Sequence, residues 1–349
     1  MKTHRKFRSR GRALLAWTAA LLVTIQIAVS GYMECTHPEV YDPEYRDRLV
    51  VLKRCVAESP RDPLLLIVGS SRITTDVRPE VLGEMRTPAG EKAVPFNFSH
   101  TGSGPLLNLT LLHRLERQGH VPRWVVLEMV PSLLGASGQS MAARVSLAGD
   151  LPLMSRYMPR AKLYSWYAWE RMNASWSHRH AYTRQCAPAL LYLDATWDMM
   201  PLGPLGGSAR FERSNITVEE MSGRVAGVKA EYFGGLQHLK VAEAPNRATR
   251  EFIEFCGQRG IPVVLLLTPE SSTFRGWYTE ETQRVVRDYC DTLRNEYDVP
   301  IVDSREWLAD DRFVDGHHLF VDAAAEFTTR LQANVLQPLV EGQWNRGAK

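Results

Sequence analysis

The sequence predicts an α/β fold, a three-layer sandwich around a mostly parallel sheet of five strands. Short apolar runs alternate along the chain with longer segments of helical periodicity, and this alternation is typical of βαβ units. Crossovers between parallel strands are right-handed, so successive strands run side by side in one direction. The predicted strands are residues 64–68, 93–98, 124–129, 262–267 and 300–303.

The first strand, residues 64–68, is the segment around which the rest is organised. Five consecutive apolar residues suit a strand that is covered on both faces. Gly69 follows and lets the backbone turn, so the next residues lie at the carboxyl end of the strand, where open α/β sheets place their chemistry. Helical periodicity predicts helices over residues 105–118, 248–259, 280–297 and 322–335.

The segment from about residue 135 to 245 contains no clear strand that could join the sheet. We therefore predict that it is a mainly helical insertion over the carboxyl edge of the sheet. It ends in a Gly- and Pro-rich stretch, residues 201–207. Its aromatic side chains have two interpretations: they pack the insertion onto the core, or they form a lid or a wall that stacks on glycans. These residues are Tyr157, Tyr164, Trp166, Tyr167, Trp169, Trp176, Tyr182, Tyr192 and Trp197.

Residues 1–32 form a separate segment before the α/β domain of residues 33–349. Six basic side chains and no acid occupy the first twelve positions, and a mostly apolar run follows over residues 13–29. This order predicts a signal peptide or a signal-anchor. We expect a single membrane anchor with the α/β domain outside the cytoplasm or, if cleavage occurs after the small residues 28–30, a secreted or periplasmic protein.

Charge and cysteine content argue against several kinds of site. Without the six basic residues of the amino-terminal flank, 36 Lys and Arg stand against 39 Asp and Glu, a balance of −3. The sequence therefore gives no basic patch that would predict nucleic acid binding. The five cysteines include no CxxC pair and no Cys/His metal spacing, so we predict neither a metal nor a cofactor.

Two stretches far apart in the sequence carry a candidate catalytic constellation. Ser70 and Ser71 follow the first strand, and Asp315 and His318 stand three apart just before the last predicted helix. A serine hydroxyl needs an adjacent base to act as a nucleophile, usually a histidine that a carboxylate holds in one tautomer. His318 can take the proton while Asp315 orients it. His317 competes for this role because it is adjacent.

The order of these blocks resembles that of the SGNH/GDSL hydrolase superfamily. The family's first block, Gly-Asp-Ser, stands here as Gly-Ser-Ser at residues 69–71, and its last block, Asp-x-x-His-Leu, begins at Asp315 and places its histidine at His318. The resemblance implies an SGNH-like, flavodoxin-like fold. By position it makes Ser71 the nucleophile of a Ser-His-Asp triad, with Ser70 as the alternative nucleophile or a residue that hydrogen-bonds the turn.

The resemblance also implies an oxyanion hole, a set of donors that stabilise negative charge on the reacting carbonyl. The N–H of Ser71 is one donor, and Gly102, after the second strand, matches the glycine of the family's second block. The third block, Gly-x-Asn-Asp, has no Asn after the third strand, so either Asn97 or Ser132 supplies that donor or the oxyanion hole is weaker. Candidate substrate contacts, each with a structural role as the alternative, are Arg72, Glu128 and Ser132.

With its amino-terminal anchor, the chain looks like the membrane-anchored acyl-transfer branch of this superfamily. The resemblance implies a serine esterase or O-acyltransferase that acts on an acyl ester of a cell-envelope glycan or lipid through an acyl-enzyme. The alternative is a catalytically inactive SGNH-like envelope protein that binds glycan or works with envelope-assembly proteins.

Overall fold

The computed structural model describes residues 3–135, 140–187 and 201–344. Tyr192 and Trp197 lie outside this described part. The helices are α1 (Thr3–Thr36), α2 (Pro43–Glu58), α3 (Ser71–Asp76), α4 (Pro105–Arg117), α5 (Ser140–Arg144), α6 (Leu151–Met154), α7 (Arg160–Met172), α8 (Ala174–Ser177), α9 (Arg179–Cys186), α10 (Val218–Gln237), α11 (Glu243–Gly257), α12 (Ser272–Arg275), α13 (Glu280–Tyr297), α14 (Val321–Leu331) and α15 (Gln337–Val340). The strands are β1 (Leu64–Val68), β2 (Met85–Arg86), β3 (Lys92–Asn97), β4 (Trp124–Glu128), β5 (Val263–Leu267) and β6 (Ile301–Asp303).

The chain divides into two compact units. Unit 1 joins residues 1–46 with residues 143–198, and unit 2 joins residues 47–142 with residues 199–349. The sheet and every candidate site residue belong to unit 2. The segment predicted as an insertion is mainly helical where it is described, apart from the irregular stretch 201–212, and its last part, including α10, belongs to the unit that holds the sheet.

Unit 2 contains a six-stranded mixed sheet, and the predicted α/β class is confirmed. The strand order is β2-β3-β1-β4-β5-β6; β2 is antiparallel to β3, and the other neighbouring pairs are parallel. All five predicted strands are present, within one residue of their predicted bounds. The sixth strand, β2, has only two residues, too few for a pattern. Without β2, the parallel strands have the order of a flavodoxin-like sheet, whose switch point lies between β1 and β4.

Strand β1 and helix α14 are distant in sequence, but their buried residues pack in the same core. All five residues of β1 are buried, as a central parallel strand requires. In α14, Ala323, Ala324, Phe327 and Leu331 are buried at helical spacing and share one core cluster with β1. Burying one such phenylalanine contributes about 2–3 kcal/mol. This packing anchors the segment that precedes α14, which carries the predicted Asp and His.

Unit 1 contains α1, which continues as a helix beyond the predicted apolar run of residues 13–29 to Thr36. The helix Gly11–Thr36 includes an 18-residue stretch of mean hydropathy 1.9 that is almost wholly exposed. It is long and apolar enough to cross a membrane, as a signal sequence near an amino terminus also is. Its last turns pack into unit 1: Met33 joins Val40, Tyr41 and Ala181 in a small core.

Candidate active site

The turn after β1 gives its two serines different roles. Ser70 is the N-cap of α3, where its Oγ accepts a hydrogen bond from the N–H of Arg72 at 3.3 Å. The N–H of Ser70 donates to Oε2 of Glu128, at the end of β4, at 2.5 Å. Ser70 therefore forms the turn, its alternative role. Ser71, the first residue of α3, is only partly buried and presents its hydroxyl to the site.

We expect Gly69→Ala to destabilise unit 2 and to displace Ser71. A Cβ at position 69 would lie 2.5 Å from Oε2 of Glu128 and 2.5 Å from Cγ1 of Ile73, both of them buried. Overpacking of this kind costs about 1–3 kcal/mol, which thermal unfolding of the full chain in detergent would register as a lower Tm. Gly223→Ala is the control, because that glycine lies in α10 with open space around it. Equal Tm values for the two variants would contradict the expectation.

The structure brings the three predicted triad residues together. Nε2 of His318 lies 2.9 Å from Oγ of Ser71, and Nδ1 of His318 lies 2.8 Å from Oδ2 of Asp315. Both distances are those of hydrogen bonds. With Nδ1–H donated to the carboxylate, Nε2 is left as the acceptor that faces the serine hydroxyl. The contact joins residues 247 positions apart in the sequence.

A tight turn sets the geometry of the Asp-x-x-His segment. Oδ1 of Asp315 accepts hydrogen bonds from the N–H of His317 at 3.2 Å and of His318 at 2.9 Å. The C=O of His318 accepts from the N–H of Val314 at 2.9 Å, which closes the turn. Gly316 has φ +102°, a conformation that a glycine adopts without strain. The turn thus directs the second oxygen of Asp315 at the ring of His318.

Asp76, which the sequence interpretation missed, ties this turn to the helix of the nucleophile. It is the last residue of α3, and its Oδ1 accepts the N–H of Leu319 at 3.0 Å. The side chain is completely buried. Burial raises the pKa of Asp76 to about 7, although the charge of His318 and the N–H of Leu319 act in the opposite direction. One short helix therefore contacts the catalytic segment at both of its ends.

Burial and charge shift the pKa values of the triad in opposite directions. Burial alone would raise the pKa of Asp315, but the charges of His318 and His317 and their hydrogen bonds outweigh it, so that pKa lies well below its usual value. Burial alone would lower the pKa of His318, but Asp315, supported by Asp76, outweighs it, so that pKa is raised. The result is an ionised carboxylate beside a histidine of increased basicity.

His317, the competing base, is buried and makes no hydrogen bond to Ser71 in the described part of the chain. Its ring packs on His318 with centroids 4.1 Å apart, on Phe274 at 5.3 Å and on Tyr232 of α10 at 5.3 Å. Burial and the neighbouring His318 charge hold the pKa of His317 well below its usual value. A neutral, enclosed imidazole of this kind supports the position of His318 and does not compete with it.

The prediction that Asn97 is an oxyanion donor is wrong. Its Nδ2 donates to the C=O of Ile73 at 2.6 Å and of Val77 at 2.9 Å, and its Oδ1 accepts from the N–H and hydroxyl of Ser99. The side chain is completely buried. Both amide hydrogens are thus committed to the carbonyls at the end of α3. Asn97 fixes that helix against β3 and has no donor left for a substrate.

The loop that contains Gly102 is hydrogen-bonded to the turn that follows β1. Beyond the end of β3, the N–H of His100 donates to the C=O of Gly69 at 2.9 Å, which extends the β1–β3 pairing into the loop. Gly102 follows two residues later with φ +69°. Within the described part of the chain, the N–H groups of Ser71 and Gly102 have no acceptor in the protein. Ser71 is at the start of α3, where the first N–H groups of a helix are free by construction. Gly102 lies in the loop before α4, and both N–H groups remain candidate oxyanion donors.

The prediction that Arg72 contacts a substrate is wrong, because its side chain is buried in an ion pair. Nη1 of Arg72 lies 3.0 Å from Oε1 of Glu270, and the two side chains are 3% and 0% exposed. The same oxygen accepts the hydroxyl of Tyr278 at 2.8 Å. The guanidinium lies over the ring of Phe274 at 5.0 Å. Arg72 therefore holds the start of α3 against the segment after β5.

Glu128 is likewise occupied within the protein, which corrects its prediction as a substrate contact. Oε2 accepts the N–H of Ser70, and Oε1 accepts the hydroxyl of Thr268 at 2.9 Å. Glu128 is thus a positioning residue for the turn that carries Ser70 and Ser71. Ser132 follows β4, and its buried Oγ has no hydrogen-bond partner in the described residues. It stays a candidate donor or substrate contact.

Phe211 is a second site residue that the sequence interpretation missed. Its ring centroid lies 5.6 Å from that of His318. Its C=O accepts the N–H of Val321, at the start of α14, at 3.0 Å. The guanidinium carbons of Arg210 and Arg224 lie 5.4 Å and 5.5 Å from the Phe211 ring. The catalytic histidine candidate therefore has an aromatic wall with two cations beside it.

The same segment holds three groups that could serve as metal ligands. Ligand atoms of Asp315, His317 and His318 lie within 4.8 Å of one another. However, both oxygens of Asp315 already accept hydrogen bonds from this segment, and both ring nitrogens of His318 have partners. A cation would have to displace these bonds. The hydrogen-bonded triad accounts for the cluster by itself.

Comparison with known proteins gives one partial match. Residues 241–340 match the profile of an uncharacterised protein family. No curated protein is significantly similar to the chain. The matched stretch runs from α11 to α15, so it contains Asp315 and His318 but not Ser71. It is a likeness in the carboxyl-terminal part of unit 2 only.

Proposed function

We propose that this protein is a serine esterase or O-acyltransferase of the SGNH/GDSL type. The observation that carries the proposal is the hydrogen-bonded series Ser71–His318–Asp315, with distances of 2.9 Å and 2.8 Å. The flavodoxin-like strand order, with the serine at the carboxyl end of β1, supports it. The ionised Asp315 and the raised pKa of His318 suit a base that takes a proton from a hydroxyl.

The proposed mechanism proceeds through a covalent acyl-enzyme. Oγ of Ser71 attacks the carbonyl carbon of an ester while Nε2 of His318 accepts the hydroxyl proton. The N–H groups of Ser71 and Gly102 are the proposed donors to the oxyanion. The C–O bond then breaks, and His318 gives its proton to the leaving alcohol. In the second half, water or a sugar hydroxyl attacks the acyl-serine with His318 again as base, so hydrolysis and transfer differ only in the acceptor.

The proposed location is the outer side of a membrane, with α1 as a retained anchor. Cleavage after Ser30 would cut α1 inside a packed contact, because Oγ of Ser30 donates to the C=O of Arg171 at 2.5 Å and its own C=O accepts the hydroxyl of Tyr41 at 3.2 Å. A helix that continues into a folded unit supports retention. The proposed substrate is then an acyl ester of an envelope glycan or lipid, with envelope-assembly proteins as candidate partners.

The test is covalent labelling of the full chain in detergent with a fluorophosphonate. We expect one labelled peptide, modified at Ser71, because only a base-activated serine reacts quickly with this probe. A folded protein that stays unlabelled, also by a smaller activated ester, would contradict the proposal. That result would favour the alternative, a non-catalytic envelope protein that binds glycan.

The rate of labelling is expected to depend on the protonation of His318. A protonated imidazole cannot accept the serine proton, so the rate should fall as the pH falls through a midpoint above about 6.5, the ordinary pKa of histidine. Asp315→Asn removes the charge that raises this pKa. We expect this variant to have a lower midpoint and a plateau rate lower by about 10⁴-fold, as in other triads that lose their carboxylate. An unchanged midpoint would contradict the assigned role of Asp315.

A further inference from the structure

Helix α7 and the following α8 expose an unusual set of side chains for a protein surface. Tyr164, Trp169, Met172 and Trp176 are 49%, 61%, 57% and 72% exposed. We call these four residues the aromatic face. Tyr164 and Met172 are eight positions apart, and Trp169 lies between them, so the three residues of α7 are on one side of the helix. Scattered exposed apolar residues are ordinary, but large aromatic side chains grouped on one side are not.

Helix α7 buries two charged side chains near its carboxyl end. Glu170 and Arg171 are both 8% exposed. Glu170 lies 3.6 Å from His178, and Arg171 lies 3.0 Å from Glu34 of α1. A helix at a water surface has its apolar side inward and its charges outward. Helix α7 departs from this pattern at its carboxyl end, where two charged side chains are buried and Trp169 and Met172 are exposed, although Leu163 is buried and Lys162 is exposed as usual. Exposed Trp and Met side chains are stable there when the outer surroundings are apolar.

Contacts inside unit 1 place the aromatic face beside the apolar part of α1. Gln26 and Ser30 of α1 both donate to the C=O of Arg171, at 3.4 Å and 2.5 Å. Residues 13–30 of α1 would span about 27 Å at 1.5 Å per residue, close to the roughly 30 Å hydrocarbon thickness of a bilayer. The carboxyl end of α7 therefore lies at the level where a membrane-spanning α1 leaves the hydrocarbon.

Cations stand next to the aromatic rings on these helices. The guanidinium of Arg179 lies 4.9 Å from the ring of Trp176, and Nζ of Lys162 lies 4.6 Å from the ring of Trp166. Tryptophan and tyrosine collect at the headgroup level of a bilayer, where their rings meet the hydrocarbon edge. Basic side chains at that level contact lipid phosphates. The composition of the face matches this environment.

We propose that the aromatic face is a membrane-binding surface, which holds α7 and α8 in the outer interface of the bilayer that α1 crosses. The inference rests on the membrane anchor in the proposed function but not on its chemistry. The occupant is phospholipid: apolar side chains enter the edge of the acyl region, and Arg179 and Lys162 face the headgroups. In this proposal Trp169 and Trp176 contact lipid, a role that neither interpretation of the sequence gave them. Tyr157, which is buried, serves core packing.

The experiment uses the full chain in nanodiscs of phosphatidylcholine and phosphatidylglycerol, with bromine atoms near the carbonyl end of the acyl chains. Bromine quenches tryptophan fluorescence on contact. Trp17→Phe is the background, because Trp17 of α1 is itself 77% exposed in the apolar run. In this background we compare Trp169→Phe/Trp176→Phe with Trp307→Phe, a control in which the ring packs on Phe327 in the core of unit 2.

We expect brominated lipid to quench the Trp17→Phe chain, and most of this quenching to disappear in Trp169→Phe/Trp176→Phe but persist in Trp307→Phe. No quenching in the Trp17→Phe chain, or equal quenching in all variants, would overturn the proposal. The absence of quenching is the result expected if the aromatic face binds a partner protein instead of lipid. Fluorophosphonate labelling of the same nanodiscs is scored separately. Lost labelling with intact quenching would refute the serine chemistry and leave the membrane surface standing.

Discussion

Ser71→Ala is expected to lower kcat/KM for an activated ester by at least about 10³-fold, the scale seen when a triad nucleophile is removed. The expectation rests on the 2.9 Å contact between Oγ of Ser71 and Nε2 of His318. No other hydroxyl in the described part of the chain hydrogen-bonds that nitrogen. Ester hydrolysis and fluorophosphonate labelling would both measure the loss. Because Ser71 is at the first position of α3, alanine there should leave the fold intact.

Ser70→Ala is the matched control for this experiment. It removes the cap oxygen that accepts the N–H of Arg72, at a cost of about 1 kcal/mol in stability. The N–H of Ser70 that donates to Glu128 remains, so the turn keeps its main bond. We expect most of the labelling to survive. Labelling that is lost in Ser70→Ala and kept in Ser71→Ala would contradict the assignment of the nucleophile.

Glu270→Ala is expected to lower the free energy of unfolding by about 3–5 kcal/mol, the cost of leaving a buried charge without its partner. The guanidinium of Arg72 would lose the carboxylate 3.0 Å away in a region that excludes water. The hydroxyl of Tyr278 would lose its acceptor as well. The Tm of the full chain in detergent should fall by on the order of 10 °C. Asp291→Ala, which removes an exposed partner of Arg294, should change Tm little.

A double variant distinguishes a structural role of the Arg72–Glu270 ion pair from a role of Arg72 in substrate binding. In Arg72→Met/Glu270→Gln both charges are gone and the volumes are nearly kept, so most of the lost stability should return. The variant should also keep a normal KM for small neutral esters. A KM that rises in Arg72→Met while Tm stays unchanged would restore Arg72 as a substrate contact.

The strands and the two short blocks that carry the candidate triad could be predicted because the signal of each is local. An unbroken apolar run marks β1, and a glycine with serines after it marks the turn, whatever the rest of the chain does. The triad also required the order of two distant blocks, which the resemblance supplied. Such a pattern says which residue types stand at strand ends. It does not say what their side chains touch.

The errors came from partners that only the folded chain brings close. Asn97 stands after a strand like a site residue, but its amide is taken by carbonyls 24 and 20 residues earlier. Arg72 adjoins the nucleophile in sequence, yet its partner is Glu270, 198 residues later. Phe211 and Asp76 have no sequence signal as site residues, since their roles depend on packing against the His318 segment.

The contact between α3 and the turn at Asp315 also limits when Ser71 can meet its proposed base during synthesis. Ser71 is made early, but its base lies 247 residues later and is held by packing of α14, later still. At about 5–20 residues per second, a ribosome needs on the order of tens of seconds to cover that distance. Throughout this interval the nascent chain carries an ordinary serine. The proposed activity can therefore arise only after the His318 segment and α14 have been made and have packed beside β1.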